Sequence, residues 1–326
     1  MSEEKEITAK FFVSELTSSW SDKAAPATEA ARISIAARTD LGCVRENNED
    51  KYEFFIPESH RTLAAKGMLL AVADGMGGHA AGQVASELAL KTLIDEYFGN
   101  THPDVEGTLR SSFYVANTVV HNAASIGGRE GMGCTLTAAV IRGSRVLVAQ
   151  VGDSRLYRLR DGRLEQITED HSWVADQVRL GVMSADEAEL SPFRNIITRS
   201  IGTQSQVEVD VYSLDAREDD ILMLCSDGLS GVVSSADIEA TLRQMGPAEA
   251  TQRLVGLALK GGGPDNVTVL TAKIESFYPL QVPEGEADDT VPADEAKPEH
   301  SQGEELDSHE GDSKKKGLLS RLFDRQ

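Results

Sequence analysis

The chain has 326 residues, a length that favours one large domain with extensions or two domains. Hydrophobic residues make up 40% and charged residues 26% of the chain, values that exclude a wholly disordered or fibrous protein. The formal net charge of -21 repels phosphate backbones and therefore disfavours nucleic acid as a partner.

The first predicted elements are two strands followed by two helices. Apolar and small residues alternate over 33–36, as in a half-buried strand, and an almost continuous apolar run over 68–73 predicts a more buried one. Glycines within 75–78 then interrupt the pattern. Apolar residues at helical spacing predict helices over 80–98 and 104–124.

Strands dominate the middle of the chain, and helices return near its end. The apolar runs predict strands over 134–141, 145–151, 156–159, 164–167, 221–225 and 267–274, and helices over 236–245 and 248–260. Turns as short as Asp161-Gly162 force the strands they join to run antiparallel. Strands in meanders and helices in pairs favour a layered α+β fold over a doubly wound parallel sheet.

The two ends of the chain differ in amino-acid composition from its centre. Residues 1–30 are predicted to be a flexible leader before a domain over 31–278. Residues 279–313 are predicted to be an acidic disordered linker, since twelve Asp and Glu and one Lys lie between 281 and 313. Residues 314–326 form a basic amphipathic tail that either docks on a partner or an anionic membrane, or is a plain solvated end.

The cysteines and the amino terminus point to one compartment. Cys43, Cys134 and Cys225 include no C-x-x-C pair, so we expect small reduced core residues and neither a disulfide framework nor a zinc site. The amino terminus has no apolar stretch typical of a signal peptide. The sequence therefore predicts a cytoplasmic protein.

Four aspartates stand at turns beside apolar strands, and they are the first candidates for chemistry. They are Asp74, Asp153, Asp227 and Asp265. A single such Asp usually only caps a turn. If several strand ends share one edge of a sandwich, however, their carboxylates converge, and so much negative charge is tolerable only with bound cations. Oxygen ligands favour Mg²⁺ or Mn²⁺, and such ions assist attack on phosphate.

Other phosphate and metal chemistries lose support from missing motifs. The chain contains no G-x-x-x-x-G-K-[ST] loop, no H-E-x-x-H helix motif and no cysteine followed by Arg six residues later. These absences disfavour ATP-binding P-loops, zinc proteases and thiol phosphatases.

Six ordered motifs resemble those of PP2C-type (PPM) metal-dependent serine/threonine protein phosphatases, in particular the bacterial branch that opposes Hanks-type kinases. The motifs are Arg45-x-x-Asn48-Glu49-Asp50, Asp74-Gly75-Met76-Gly77-Gly78-His79, Gly152-Asp153-Ser154-Arg155, Asp170-His171-Ser172, Ser226-Asp227-Gly228 and Asp265-Asn266-Val267-Thr268. The resemblance covers 33–274 and implies a four-layer α-β-β-α sandwich with two central, mostly antiparallel sheets. It also implies a flap over about 171–201.

The resemblance implies a set of metal ligands. Asp74 would bridge two Mn²⁺ or Mg²⁺ ions, and Gly75 would add its main-chain carbonyl to one of them. Asp227 and Asp265 would bind the other ion. Asp153, together with Asp227, matches the position of a third, weaker metal site in the family.

The same resemblance implies roles around the metals. Glu49 and Asp50 would hold metal-bound waters, and Arg45 would grip the substrate phosphate. A metal-bound hydroxide would attack phosphorus without a covalent phosphoenzyme. Animal members have a His directly after the D-G pair, where this chain has Met76, so the general acid is either His79 or a metal-bound water.

The implied function is hydrolysis of phosphoserine and phosphothreonine in phosphoproteins, with a serine/threonine kinase as counterpart and a monomer as the expected state. One alternative is a catalytically inactive PP2C-like binding module, which would ordinarily have lost one of Arg45, Asp74, Asp227 or Asp265. A second alternative is a metal-dependent phosphodiesterase or nuclease. The acidic composition and the missing basic stripe disfavour that alternative.

Overall fold

A computed structural model describes residues 26–78, 80–126 and 131–281. Its strands are β1 (Glu29–Asp40), β2 (Lys51–Phe55), β3 (Met68–Ala73), β4 (Gly75–Met76), β5 (Gly133–Cys134), β6 (Leu136–Arg142), β7 (Arg145–Val151), β8 (Arg155–Arg160), β9 (Arg163–Gln166), β10 (Asp210–Asp215), β11 (Ile221–Cys225) and β12 (Val267–Pro279). Its helices are α1 (His60–Lys66), α2 (Ala80–Gly99), α3 (Val105–Ser125), α4 (Trp173–Arg179), α5 (Ala185–Glu189), α6 (Asp227–Ser230), α7 (Ser235–Gln244) and α8 (Pro247–Lys260).

Two five-stranded sheets form the centre of the fold. Sheet I has the order β1-β12-β11-β8-β9, and sheet II has the order β10-β7-β6-β3-β2. Every pairing within both sheets is antiparallel. A separate two-stranded ladder joins β4 to β5.

Side-chain alternation explains why two sheets stack into one sandwich. In β3 all six residues are buried: Leu69 and Ala71 face one apolar cluster, and Leu70 and Val72 face another. Successive residues of a strand point to opposite faces, so a strand that is apolar on both faces must be covered on both sides. The cluster that contains Leu70 also contains Leu224 of β11, and it fills the space between the sheets.

Paired helices cover the two outer faces. The long helices α2 and α3 pack on sheet II through a cluster that includes Leu93 and Phe113. The helices α7 and α8 pack on sheet I through a cluster that includes Leu242 and Leu254. The predicted four-layer α-β-β-α sandwich is therefore confirmed. No helix among the described ranges is long and apolar enough to cross a membrane.

Several elements lie where the sequence predicted none. Strands β2 and β10 lie at the two edges of sheet II and contain no fully buried residue, so their sequences lack a clear apolar alternation. The predicted polar flap contains the short helices α4 and α5. At the ends, β1 begins at Glu29, inside the range taken as leader, and β12 continues to Pro279.

Candidate metal centre

The antiparallel order brings the candidate residues to one end of the sandwich. In sheet II, β3 and β7 both pair with β6, so they run in the same direction and both end at the edge that carries Asp74 and Asp153. In sheet I, the end of β11 pairs with the start of β12, which places Asp227 close to Asp265. The link from β7 to β8 crosses between the sheets at Gly152–Ser154, so both edges meet at one site.

Five carboxylates form this site. Asp50 and Asp153 are buried, whereas Asp74, Asp227 and Asp265 are half-buried. Burial raises the pKa of Asp74 well above its usual range, and the negative charges of the four other aspartates raise it further. The charges of its neighbours therefore favour the protonated form of Asp74.

Burial likewise dominates the electrostatics of the other members. It raises the pKa of Asp50 to about 7, opposed by the hydroxyl of Ser226, which donates to Asp50 Oδ2 at 2.6 Å. It raises the pKa of Asp153 to about 8, with the charge of Asp227 adding to the effect. The pKa of Asp227 is raised mainly by burial and by the charge of Asp265, and a side-chain hydrogen bond with Asp74 opposes the shift. Burial and mutual repulsion thus favour the protonated forms of Asp50, Asp74, Asp153 and Asp227.

The donor atoms fit a hard divalent cation. Among the described residues, Asp50, Asp153 and Asp227 each have a buried Oδ1 without a hydrogen-bond partner, an arrangement that costs free energy unless a ligand satisfies it. Carboxylate and carbonyl oxygens are the ligands that Mg²⁺ and Mn²⁺ prefer. No three Asp, Glu, His or Cys side chains of the described ranges form a complete metal cage. The fit therefore requires main-chain carbonyls and water besides the carboxylates.

A hydroxyl pair ties Asp74 to the turn that carries Asp153. The main-chain N–H of Asp74 donates to Thr135 Oγ1 at 2.9 Å, and Thr135 N–H donates back to the carbonyl of Asp74 at 2.8 Å. Thr135 Oγ1 also lies 2.7 Å from Ser154 Oγ, with which it shares a hydrogen bond. Both hydroxyls are fully buried, so the two carboxylates are held by one continuous network.

Close main-chain packing fixes the segment around Gly75. A Cβ placed on Gly75 would overlap the carbonyl of Gly82, and one on Gly82 would lie 2.5 Å from Glu49 Oε2. The main chain of Glu49 is itself fixed, since its N–H donates to Asn266 Oδ1 at 2.8 Å and its carbonyl accepts from Ser86 Oγ at 2.6 Å. Only glycine allows these three segments to approach so closely.

Arg45 stands at the rim of the site. Its side chain is half exposed, and Nη2 donates to Asp265 Oδ2 at 2.6 Å. The hydrogen bond to Asp265 is the main reason that the pKa of Arg45 is raised, and the charges of Glu49 and Asp74 act in the same direction. The guanidinium therefore faces the carboxylate cluster while remaining accessible to a ligand from solvent.

The structure thus brings together all but one of the residues singled out from sequence. Those placed at this end of the sandwich are Arg45, Glu49, Asp50, Asp74, Gly75, Asp153, Asp227 and Asp265. His79 lies outside the described residues, and its part as general acid stays a prediction. Ser154 and Ser226 lie in two of the quoted motifs, but sequence reasoning gave neither them nor Thr135 a supporting role, because their hydrogen-bond partners are distant in sequence.

A family model for protein phosphatase 2C matches residues 45–258 of the chain. The serine/threonine protein phosphatase PstP of Mycobacterium tuberculosis is 42% identical over 255 residues, which cover 76% of this chain and 47% of PstP. The chain thus spans about half the length of that relative. The serine/threonine phosphatase stp of Listeria monocytogenes is 38% identical over 239 residues, covering 72% of this chain and 92% of stp.

Solved structures agree with these relatives. The crystal structure of M. tuberculosis PstP/Ppp superimposes with a TM-score of 0.67 at 41% identity and covers 75% of this chain and 99% of its own. Stp1 from Staphylococcus aureus gives a TM-score of 0.69 at 34% identity and covers 76% and 97%. A structure of the catalytic domain of PstP, with a TM-score of 0.65, 39% identity and coverage of 75% and 99%, is a complex with two manganese ions. With the sandwich and the carboxylate cluster described above, these matches show that the chain belongs to the protein phosphatase 2C family.

Proposed function

We propose that the chain is a metal-dependent protein serine/threonine phosphatase that hydrolyses phosphoserine and phosphothreonine. The observation that carries the proposal is the convergence of five carboxylates, some with unsatisfied buried oxygens, beside an accessible guanidinium. The cluster supplies a site for cations, and Arg45 supplies a site for an anion. Phosphate esters are the substrates that need both.

The family resemblance, together with the convergence of these residues, supports an assignment of the metal ligands. We infer that Asp74 bridges two ions, that the carbonyl of Gly75 joins one of them, and that Asp227 and Asp265 bind the other. Asp153, with Asp227, would hold a third and weaker ion. The two manganese ions in the PstP complex support Mn²⁺ as the cofactor, with Mg²⁺ as the other hard cation that suits this donor set. When bound, such ions lower the pKa of water and offset phosphate charge.

The chain's own residues complete the site. Glu49 and Asp50 lie behind the ligands, where their carboxylates would hold waters at the metals. Arg45 presents planar N–H donors that suit a phosphate dianion. Arg45 Nη2 donates to Asp265 Oδ2, so a bound phosphate and the carboxylate of Asp265 would share the donors of this guanidinium.

The two buried cysteines beside the cluster do not suit a covalent thiol mechanism. Burial raises the pKa of Cys225 to about 12 and that of Cys134 further. Both are therefore neutral thiols at physiological pH, and neutral thiols are poor nucleophiles. This supports direct attack by water and no phosphoenzyme.

The wider setting follows from the family. Relatives named serine/threonine phosphatases support phosphoproteins as substrates. We further propose that the protein is a cytoplasmic monomer that opposes a Hanks-type kinase, and that residues 314–326 offer a weak docking element. An inactive binding module is disfavoured because Arg45, Asp74, Asp227 and Asp265 are all present.

The test compares one peptide and one nucleic acid substrate. Wild-type protein with Mn²⁺ should hydrolyse a phosphothreonine peptide and leave supercoiled plasmid intact, and EDTA should abolish the reaction. Asp74→Asn should lose more than about 100-fold in kcat/KM, beyond what outer-shell substitutions usually cost. Asn matches the protonated form of Asp74 and can still donate to Asp227, so the fold should survive.

A matched control separates a ligand from an ordinary aspartate. Asp219→Asn changes an exposed side chain at positive φ, a conformation that Asn also accepts. It should keep wild-type turnover. Plasmid nicking that depends on Asp74 would support the nuclease alternative, and full activity of Asp74→Asn would refute the assignment.

A further inference from the structure

His171 holds the turn that carries Asp153. It is a buried side chain, 2% exposed, and its Nδ1 accepts a hydrogen bond from the main-chain N–H of Gly152 at 3.0 Å. The main-chain N–H of His171 donates in return to the carbonyl of Gly152, also at 3.0 Å. Two hydrogen bonds from one residue therefore hold both main-chain polar groups of Gly152, the residue before Asp153.

The second ring nitrogen is anchored in turn. Because Nδ1 accepts from Gly152, the ring proton lies on Nε2, which donates to Asp210 Oδ2 at 3.1 Å. Arg199 Nη1 donates to the other oxygen, Asp210 Oδ1, at 2.8 Å, and keeps that carboxylate charged and in place. Burial lowers the pKa of His171, which agrees with a neutral ring in this arrangement.

The same residue closes the base of the flap. The carbonyl of His171 accepts from Thr198 N–H at 2.8 Å, and Ser172 forms an isolated antiparallel bridge with Ile197. Both ends of the flap segment therefore return to His171. The flap base and the Asp153 turn therefore both contact one residue, His171, the first through its carbonyl and the second through its ring and its N–H.

The position of Asp153 depends on this grip on the main chain. Its Oδ1 is buried without a hydrogen-bond partner, so no side-chain contact of that oxygen orients it. Gly152 has φ of +110°, and a Cβ there would lie 2.6 Å from the Thr135 side chain, so the turn is a tight, special conformation. Gln150 Nε2 supports it from the opposite side by donating to the carbonyls of Gly152 and Ser154.

We propose that His171, oriented by Asp210 and Arg199, is a positioning residue that sets the place of the Asp153 carboxylate for the weakest metal ion and couples it to the flap base. The proposal rests on the proposed function, since it assumes that Asp153 binds metal. His171 itself touches neither metal nor substrate. It acts on the site as outer partners of metal ligands do, through orientation.

Two substitutions of His171 test the roles of its two ring nitrogens separately. His171→Asn retains an acceptor near the Nδ1 position and loses the contact to Asp210, whereas His171→Gln retains a donor toward Asp210 and loses the acceptor for Gly152. We expect His171→Gln to weaken the weakest class of Mn²⁺ sites, measured by calorimetry, about 10- to 100-fold. His171→Asn should restore only part of that affinity, because it keeps the acceptor for Gly152 but loses the contact to Asp210. In phosphopeptide hydrolysis, kcat should fall in His171→Gln while KM stays within about twofold.

His102 provides the matched control. Its Nδ1 accepts a main-chain N–H from Asp104 at 3.2 Å, the same kind of hydrogen bond at a site before α3. His102→Gln and His102→Asn should leave Mn²⁺ affinity and kcat unchanged. If His171→Gln binds Mn²⁺ like His102→Gln, the inference is overturned.

Other outcomes are equally decisive. If His171→Gln fails to fold, Asp210→Asn replaces it in the same measurement. Asp210→Asn should also weaken Mn²⁺ binding at the weakest class of sites. Unchanged Mn²⁺ binding in Asp210→Asn would overturn the inference. If the Mn²⁺ effect appears but wild-type protein hydrolyses no phosphopeptide, the positioning role stands and the proposed function fails.

Discussion

Removing one charge from the carboxylate cluster should stabilise the metal-free protein at alkaline pH. Folding raises the pKa of Asp50 from 3.8 to about 7, so between these values the folded state holds a proton that the unfolded state has lost. The free energy of unfolding must then fall as pH rises through this range. A shift of about three pKa units at 1.36 kcal/mol each gives a loss of about 4 kcal/mol.

Asp50→Asn carries no proton to lose, and its side-chain oxygen can still accept from Ser226 Oγ. The substitution also removes a negative charge that raises the pKa of Asp74, so the part of the pH dependence that comes from Asp74 becomes smaller as well. Urea denaturation in EDTA at about pH 5 and about pH 8.5 measures the effect. Because only about two of these pKa units lie above pH 5, wild type should lose about 3 kcal/mol more than Asp50→Asn between the two pH values, whereas Asp219→Asn should follow wild type. A difference between wild type and Asp50→Asn that does not change with pH would refute the electrostatic reasoning.

Four further outcomes test other parts of the site. Binding of Mn²⁺ at pH 7 should release at least about one proton, chiefly because burial raises the pKa of Asp153 to about 8. Calorimetry in two buffers of different ionisation enthalpy measures the number of protons released. Arg45→Ala should raise KM at least about tenfold, because it removes the guanidinium donors to phosphate. It should leave Mn²⁺ affinity equal or tighter, because it frees the carboxylate of Asp265. A large loss of Mn²⁺ affinity in calorimetry would mean that Arg45 has a structural role. Gly82→Ala should abolish Mn²⁺-dependent turnover, since its Cβ would overlap main chain at Gly75, and normal kcat would contradict this packing. Removal of 282–326 should leave hydrolysis of a short phosphopeptide within about twofold and change action on a large phosphoprotein, which parallel rate measurements on both substrates decide.

The catalytic end of the fold follows from sequence because it depends on local signals. An apolar run that ends in Asp74 or Asp227 marks a strand and its end, and antiparallel pairing places such ends together. The supports follow long-range packing instead. His171 meets Asp210 across 39 residues, and Asp210 lies on an edge strand whose sequence, DVYSLD, has little apolar character. No local sequence pattern predicts the contact between His171 and Asp210.

The same packing explains the strands that sequence analysis did not find. A central strand such as β3 is covered on both faces and must be apolar throughout, which is a strong signal. Edge strands β2 and β10 have one neighbour each and tolerate polar side chains on their open side. Their register is set by the partner strand and not by their own residues.

The division of the acidic residues between the two sheets would give cations bound by them a mechanical role. Asp74 and Asp153 follow strands of sheet II, whereas Asp227 and Asp265 flank strands of sheet I. An ion shared between these groups cross-links the halves of the sandwich, so its binding free energy opposes their separation. We then expect amide hydrogens of β3 and of β11 to gain protection from exchange together when Mn²⁺ is added. The protection of both strands should increase over the same range of Mn²⁺ concentration.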